Sequence, residues 1–298
     1  FKSMRALRIG ERFKNMNDFA SDDEAATLKN RFGIDVQQIP PSALSESIRS
    51  ISDSEIDAEM ALNAARYRVD APDASHRRSV RSGLGIRHYL DSNRIGAFSA
   101  NFLAFDSPSS EANCMPFLEA CQSQARGIGY AGEGDILTAS LVGALLSGFP
   151  DTTFTEIFCP DWKSDILFFS HMGEFNPKIA ADKPALLEKN FIYTPAENPV
   201  YLAAAFKLGQ AILLNLSPGP DKSFRLIASE LTLLDDLRPD IFAKSVRAWA
   251  KPCRPIAEFL EAYSVLGGTH HSALVYGLPL ESARAFAQFS GFDYQEIR

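Results

Sequence analysis

The chain has 298 residues, 46% hydrophobic and 22% charged, with 37 acidic against 30 basic side chains and a net charge of −7. This balance excludes a disordered chain, and a surface of that sign repels phosphate backbones, so no nucleic-acid partner is expected. At about 150 residues per domain the length predicts two domains. No apolar h-region follows the opening Phe1-Lys2-Ser3-Met4. The longest apolar runs, such as Ile136–Leu146 and Tyr201–Phe206, fall short of the ~20 residues that a spanning helix needs. The expectation is a cytoplasmic protein with no membrane partner. Four cysteines without a CxxC pair predict reduced thiols rather than a disulfide scaffold or a thiolate zinc site.

In chain order, Ala6–Ile9 predicts a strand, and Ser21-Asp22-Asp23-Glu24 reads as a capping box opening a helix to about Phe32. Ile34–Gln37 is the next strand. Ser54 is placed as the cap of a helix reaching about Tyr67, with Ile56, Met60 and Ala64 on its apolar face. Ser75–Leu90, which carries His76 and His88, is helical with a weak point at Ser82-Gly83. Ile95–Phe105 reads as one buried strand, ending in a Ser/Asp/Pro loop at Asp106–Ser110. Met115–Arg126 is helical, and a further helix runs from about Asp135 to Leu146. Short strands alternating with helices predict a Rossmann-like three-layer α/β domain over residues 1–150.

Beyond Pro150 the pattern changes to strands: Thr153–Phe158, Asp165–Ser170, Val200–Phe206, Gln210–Leu216, Phe224–Leu234 and Ser245–Ala250. Short turns such as Ser217-Pro218-Gly219-Pro220 separate several of them. Helical patterns follow at Ile256–Tyr263 and Leu280–Phe289, with short strands at Ser272–Tyr276 and Tyr294–Ile297. The expectation for 151–298 is a β-rich, antiparallel, barrel-like domain with flanking helices.

Gly127-Ile128-Gly129-Tyr130-Ala131-Gly132 matches GxGxxG, which suggests a nicotinamide-dependent dehydrogenase. The context opposes that reading, because a helix rather than the first strand of a βαβ unit precedes the motif. Glu133 would also sit against the pyrophosphate. Gly132-Glu133-Gly134-Asp135 instead places two carboxylates on a tight turn entering an apolar helix. On its own the turn is explained by Asp135 as N-cap and Glu133 as a neighbour favoured by the helix dipole. Glu156 lies inside an apolar strand, where an unpaired charge is expensive. His171 follows the run Ile166–Ser170, and His270-His271 follow Gly267-Gly268 at the mouth of another strand. Two carboxylates and two imidazoles at strand ends suit Mn²⁺, Fe²⁺, Co²⁺ or Mg²⁺. Each histidine alone is more often a satisfied core residue than a ligand, and no local spacing forces the four to meet.

Taken together, these residues resemble the L-arabinose isomerase family. Ala131-Gly132-Glu133-Gly134-Asp135 with Thr138-Ala139 is similar to its AGEGDxxTA stretch, and Ser170-His171-Met172-x-Glu174 to its SHMxE motif. Gly267-Gly268-x-His270-His271 is similar to its GGxHH motif, and Glu156 falls at its second acidic ligand. Arg8-Ile9-Gly10-Glu11 resembles the opening of its central domain, and Phe224-Arg225-Leu226-Ile227 its barrel strand. The resemblance implies an aldose–ketose isomerase that works through an ene-diol with a divalent metal, usually Mn²⁺. It implies Glu133, Glu156, His171 and His271 as ligands, Glu133 and Glu156 as the proton-transferring pair, and His270 beside the sugar.

The sequence also departs from the family. Ile136-Leu137 stands where Trp-Lys is usual, Gly173 and Phe175-Asn176 flank the SHMxE motif, and Phe13 occupies the place of a Met near the substrate. The ligand set is kept while the pocket lining changes, so the resemblance specifies the reaction more closely than the sugar. Family members carry a further α/β domain before the point where this sequence starts and assemble as trimers or hexamers. The expectation is a chain holding only the central and C-terminal domains. A non-catalytic sugar-binding or regulatory homologue is the alternative.

Overall fold

The computed structural model describes residues 1–14, 16–17, 23–219, 223–235 and 239–298. Ser21 and Asp22 of the expected capping box, and Pro220 of the expected turn, lie outside the described residues. The first half runs β1 (Arg5–Ile9), α1 (Glu24–Phe32), β2 (Asp35–Ile39), α2 (Ser45–Arg49), α3 (Asp53–Arg66), β3 (Arg68–Val69), α4 (Asp73–Ser92), β4 (Ala97–Ala100), α5 (Phe117–Ala125), β5 (Gly129–Gly132) and α6 (Ile136–Leu146). Strands pair in parallel in the order β2-β1-β4-β5.

Local chemistry sets the boundaries, and several differ from expectation. Asp23 caps α1, its carboxylate accepting the Ala26 N–H at 2.8 Å. Ser52, not Ser54, caps α3 through a reciprocal capping box with Glu55. The buried face of α3 is Ile56, Glu59 and Asn63, whereas Ala64 is exposed. Helix α4 runs unbroken through Ser82-Gly83. The expected strand Ile95–Phe105 stops at Ala100, because the Asn101 side chain accepts the Leu103 N–H and starts a 3₁₀ turn over Phe102–Ala104.

The second half runs β6 (Thr152–Asp161), β7 (Ile166–Ser170), β8 (Ala185–Glu188), β9 (Val200–Ala205), β10 (Gly209–Pro218), β11 (Phe224–Leu234), α7 (Pro239–Phe242), β12 (Val246–Pro252), α8 (Ile256–Val265), β13 (His271–Tyr276), α9 (Leu280–Ser290) and β14 (Asp293–Ile297). Strands β11-β10-β13-β6-β7-β12 pair antiparallel in that order, and β12 pairs back onto β11 to close a six-stranded barrel. Strand β14 adds in parallel to β11, and β9, β8 and β3 extend the sheet from β12. The sequence reading lacked β8 and β3.

Helix α6 joins the two sheets. Its sequence, ILTASLVGALL, is apolar around its whole circumference, and all but Ala144 are buried. It packs on β5, β4 and β1 on one side and on β6, β13 and β10 on the other. The β5 crossing is close: a Cβ on Gly129 would collide with the Ala139 carbonyl. This wedge carries the N-terminus of α6, with its acidic turn, to the mouth of the barrel.

Candidate metal centre

Glu133 follows the last residue of β5 and takes a left-handed backbone conformation, φ +61°. Its N–H donates to the Ala100 carbonyl at 3.1 Å, and its own carbonyl accepts the Phe13 N–H at 3.0 Å. Gly134 continues at φ +80°, where a Cβ would lie 2.5 Å from the Arg12 Cα. The buried Arg8 guanidinium donates to the Gly134 carbonyl at 2.9 Å and pairs with Glu24, which fixes the turn from beneath.

The barrel supplies the imidazoles. His271 opens β13 opposite Glu156 of β6, and His171 follows β7. Ligand atoms of Glu133, His171 and His271 all lie within 4.8 Å of one another, a set that can hold a metal ion. The rings pack edge-on against Phe154, with centroids 4.8 Å away for His171 and 4.9 Å for His271. Gly132 makes room for one of them: a Cβ there would lie 2.7 Å from His171 Cε1 and 3.0 Å from Nε2.

A carboxylate orients each imidazole. Asp135 caps α6 by accepting the Thr138 N–H at 2.9 Å, accepts Asn17 Nδ2 at 2.6 Å, and lies 3.0 Å from His271 Nδ1. Glu174 lies 2.7 Å from His171 Nδ1 and accepts the Tyr130 hydroxyl at 3.0 Å. An ionised carboxylate only accepts, so both Nδ1 atoms donate and each Nε2 is left for another partner. Burial would lower the His171 pKa, but Glu174 raises it. Burial would raise the Asp135 and Glu174 carboxyls, but the His271 hydrogen bond on Asp135, and the charge and hydrogen bond of His171 on Glu174, hold both below the usual range. Burial pushes the His271 ring down, against the pull of Asp135, and keeps it neutral. Its Nε2 is buried with no hydrogen-bond partner. An orphaned acceptor beside a carboxylate and a second imidazole is the donor set a divalent cation requires.

The other expected residues surround this trio. Glu156 is half-buried in the barrel wall, paired with His271 on one side and with Ser170 on the other, and stands outside the three-residue cluster. His270 is half-exposed at the rim, its Nε2 3.6 Å from a Glu133 oxygen, and that carboxylate raises its pKa. Burial opposes ionisation of Glu133, but His270, His271 and His171 together pull its carboxyl below the ordinary value. The Phe13 ring lies on Phe102 at 4.9 Å, and Phe102 meets Tyr193 at 5.0 Å. The sequence reading treated Asp135 only as a cap and Glu174 only as a motif member, and it omitted Tyr130. Two of the GxGxxG glycines, Gly129 and Gly132, take packing positions here, since Gly129–Gly132 is itself strand β5 rather than a loop between strand and helix.

A four-stranded parallel sheet wedged by a helix onto a six-stranded barrel, with a Glu/His/His set at the junction, defines a chain that can bind a divalent metal between two folded units. Comparison with known proteins makes this specific. The description "L-arabinose isomerase central domain" matches residues 5–147, and "L-arabinose isomerase C-terminal domain" matches residues 151–293. The chain belongs to the L-arabinose isomerase family. It is 28% identical over 300 residues to the L-arabinose isomerase of Shouchella clausii, covering 98% of this chain and 60% of that protein. It is 27% identical over 308 residues to that of Mycolicibacterium smegmatis, covering 99% and 60%. The chain thus spans about three-fifths of the length of these curated relatives. Among the described residues no helix is long and apolar enough to cross a membrane.

Proposed function

We propose that this chain is the metal-bearing part of an aldose–ketose isomerase acting on a pentose or related sugar. The observation that carries the reading is the unpartnered, buried Nε2 of His271, which faces Glu133 beside His171. Glu133, His171 and His271, with Glu156 as fourth ligand, would hold the ion. Mn²⁺ is the first choice on family grounds, and Co²⁺, Fe²⁺ or Mg²⁺ suit the same oxygen and nitrogen donors. When bound, the metal acts as a Lewis acid toward the sugar oxygens, stabilising the negative charge that develops as a proton leaves the adjacent carbon.

The chain's own residues do the remaining work. Glu133 is ionised at neutral pH and can accept that proton, while Glu156, across the barrel mouth, is placed to share its transfer between neighbouring carbons. His270 stands at the rim, where its ring can donate to a sugar hydroxyl, and the Phe13–Phe102 pair offers an apolar edge to the carbon skeleton. Phe154 shields the imidazoles from water on their inner side. Family resemblance extends the proposal to a trimeric or hexameric assembly.

The test combines Mn²⁺ titration with an aldose panel, L-arabinose included, assayed for ketose. The expected result is about one ion per chain and ketose formation, with turnover reduced about 10²–10⁴-fold in Glu133→Gln and Glu156→Gln. Saturable Mn²⁺ binding without ketose from any aldose supports the sugar-binding homologue instead. Absence of metal binding overturns the isomerase reading, and absence of both metal and sugar binding overturns the alternative as well.

A further inference from the structure

A second cavity, of about 510 Å³, opens between α3, the C-terminal end of α5 and the connection from β7 to β8. Its charged lining comes from Arg66, Arg87, Arg126, Lys178 and Glu59, and its apolar wall includes Leu62 and Pro184. Behind it, fully buried Glu119 accepts from both Arg87, at 2.9 Å, and Arg126. Glu59 takes both Arg87 Nη atoms at 3.1 Å. Four cations therefore face two carboxylates, and both carboxylates are engaged by Arg87 and Arg126.

The remainder is positive. Arg66 and Lys178 are exposed and make no side-chain ion pair or hydrogen bond among the described residues. Arg126 uses only Nη2 for its bonds to Glu119 and Ser123, which leaves Nε and Nη1 free to donate. Offsetting helix dipoles would explain Arg66 and Arg126, which sit at the C-terminal ends of α3 and α5. It does not explain Lys178, which reaches the same cavity from the connection between β7 and β8. In a chain of net charge −7, two uncompensated cations beside a half-free guanidinium form a local field of the opposite sign.

We propose that this cleft binds a small organic dianion, a phosphate monoester or a dicarboxylate. Its charged groups would bridge Arg66, Arg126 and Lys178, and its carbon frame would lie on Leu62 and Pro184. Guanidinium forks suit planar carboxylates and phosphates equally, so the shared chemistry is the double negative charge on a small frame. Because Arg66 ends the helix before β3 and Lys178 lies in the connection before its partner β8, such a ligand would bridge the two chain segments that lead into that strand pair. The inference does not depend on the isomerase reading.

The test is calorimetric titration of the metal-free 298-residue chain with ribose 5-phosphate, malonate and inorganic phosphate in low-salt buffer. Saturable binding of ribose 5-phosphate or malonate is expected, and the pattern of the three separates phosphate from dicarboxylate recognition. Removing each cation, in Arg66→Ala and Lys178→Ala, should weaken binding about tenfold, and added chloride should weaken it further. Both side chains are exposed and unpaired, so an unchanged circular dichroism spectrum is expected for either variant. Glu133→Gln should bind the dianion as the parent does. No saturable binding, or binding that survives Arg66→Ala combined with Lys178→Ala, overturns the proposal, and its loss in Glu133→Gln would place the dianion at the metal centre instead.

Discussion

Around Arg87 and around His271 the chain buries polar groups to opposite ends. In the helical layer, Arg87 donates to Glu59, Glu119 and Gln122, Gln122 donates to Asn63 at 2.8 Å, and Asn63 lies 3.1 Å from His76 Nε2. Every one of those side chains has a partner. At the barrel mouth, Asp135 and Glu174 each occupy one nitrogen of a histidine, and the other nitrogen of His271 is buried with none. The first region joins α3, α4 and α5, the second joins the start of α6 to barrel strands, and both hold carboxylates well away from water. The difference is closure. A network that satisfies itself holds structure together, whereas one that leaves a buried imidazole nitrogen unpaired beside a carboxylate holds it ready for a ligand.

The largest effect that could break this contrast is on stability. Glu119→Leu strips a fully buried carboxylate from two arginines, and Arg87 is itself largely buried. Loss of one member of a buried ionic cluster costs about 3–5 kcal/mol, read as a lower midpoint in urea unfolding. Mn²⁺ affinity of the folded fraction should stay unchanged. A stable variant with weakened metal binding would show that the two regions are not separate.

A smaller effect sharpens the other side. Asp135→Asn and Glu174→Gln leave the three clustered side chains intact but remove the acceptors that fix the tautomers of His271 and His171. Replacing such partners weakens metal affinity by about 10–100-fold. Titration of each variant with Mn²⁺ checks this, and equal affinities in variant and parent would mean that both carboxylates serve packing alone.

How much of this was legible follows from the range of the interactions. Strand Phe224–Leu234 was readable residue for residue because its apolar alternation is local and turns bound it. Strand Arg68–Val69 is two residues long and exists only because Ala185 and Leu186 lie beside it, so no window around it carries the signal. The expected apolar face of α3, Ile56, Met60 and Ala64, is replaced at two positions by Glu59 and Asn63, which are buried because Arg87 and His76 bring them hydrogen-bond partners. At the metal centre, Glu133, His171 and His271 stood out as polar residues bordering apolar runs. Asp135 did not, since an N-cap and a histidine partner look identical in sequence, and only the barrel brings His271 across 136 residues to reveal the second role.

His76 gives the finest test of closure. It is buried, and burial lowers its pKa despite nearby Asp73 and Glu59. Asn63 accepts from Gln122 through Oδ1, so its Nδ2 donates to His76 Nε2, and that nitrogen must act as an acceptor. A proton placed there would set donor against donor. Unfolded, the ring titrates near 6.5. As pH falls through that value the unfolded state takes up a proton that the folded state refuses, and stability declines until the lowered folded pKa is passed. Each unit of separation is worth about 1.4 kcal/mol. Unfolding midpoints measured from pH 7.5 downward should therefore fall more steeply for the parent than for His76→Gln, whose side chain can still accept from Asn63 but cannot titrate. Parallel curves would mean that His76 protonates in place, and that the helical network has slack of its own.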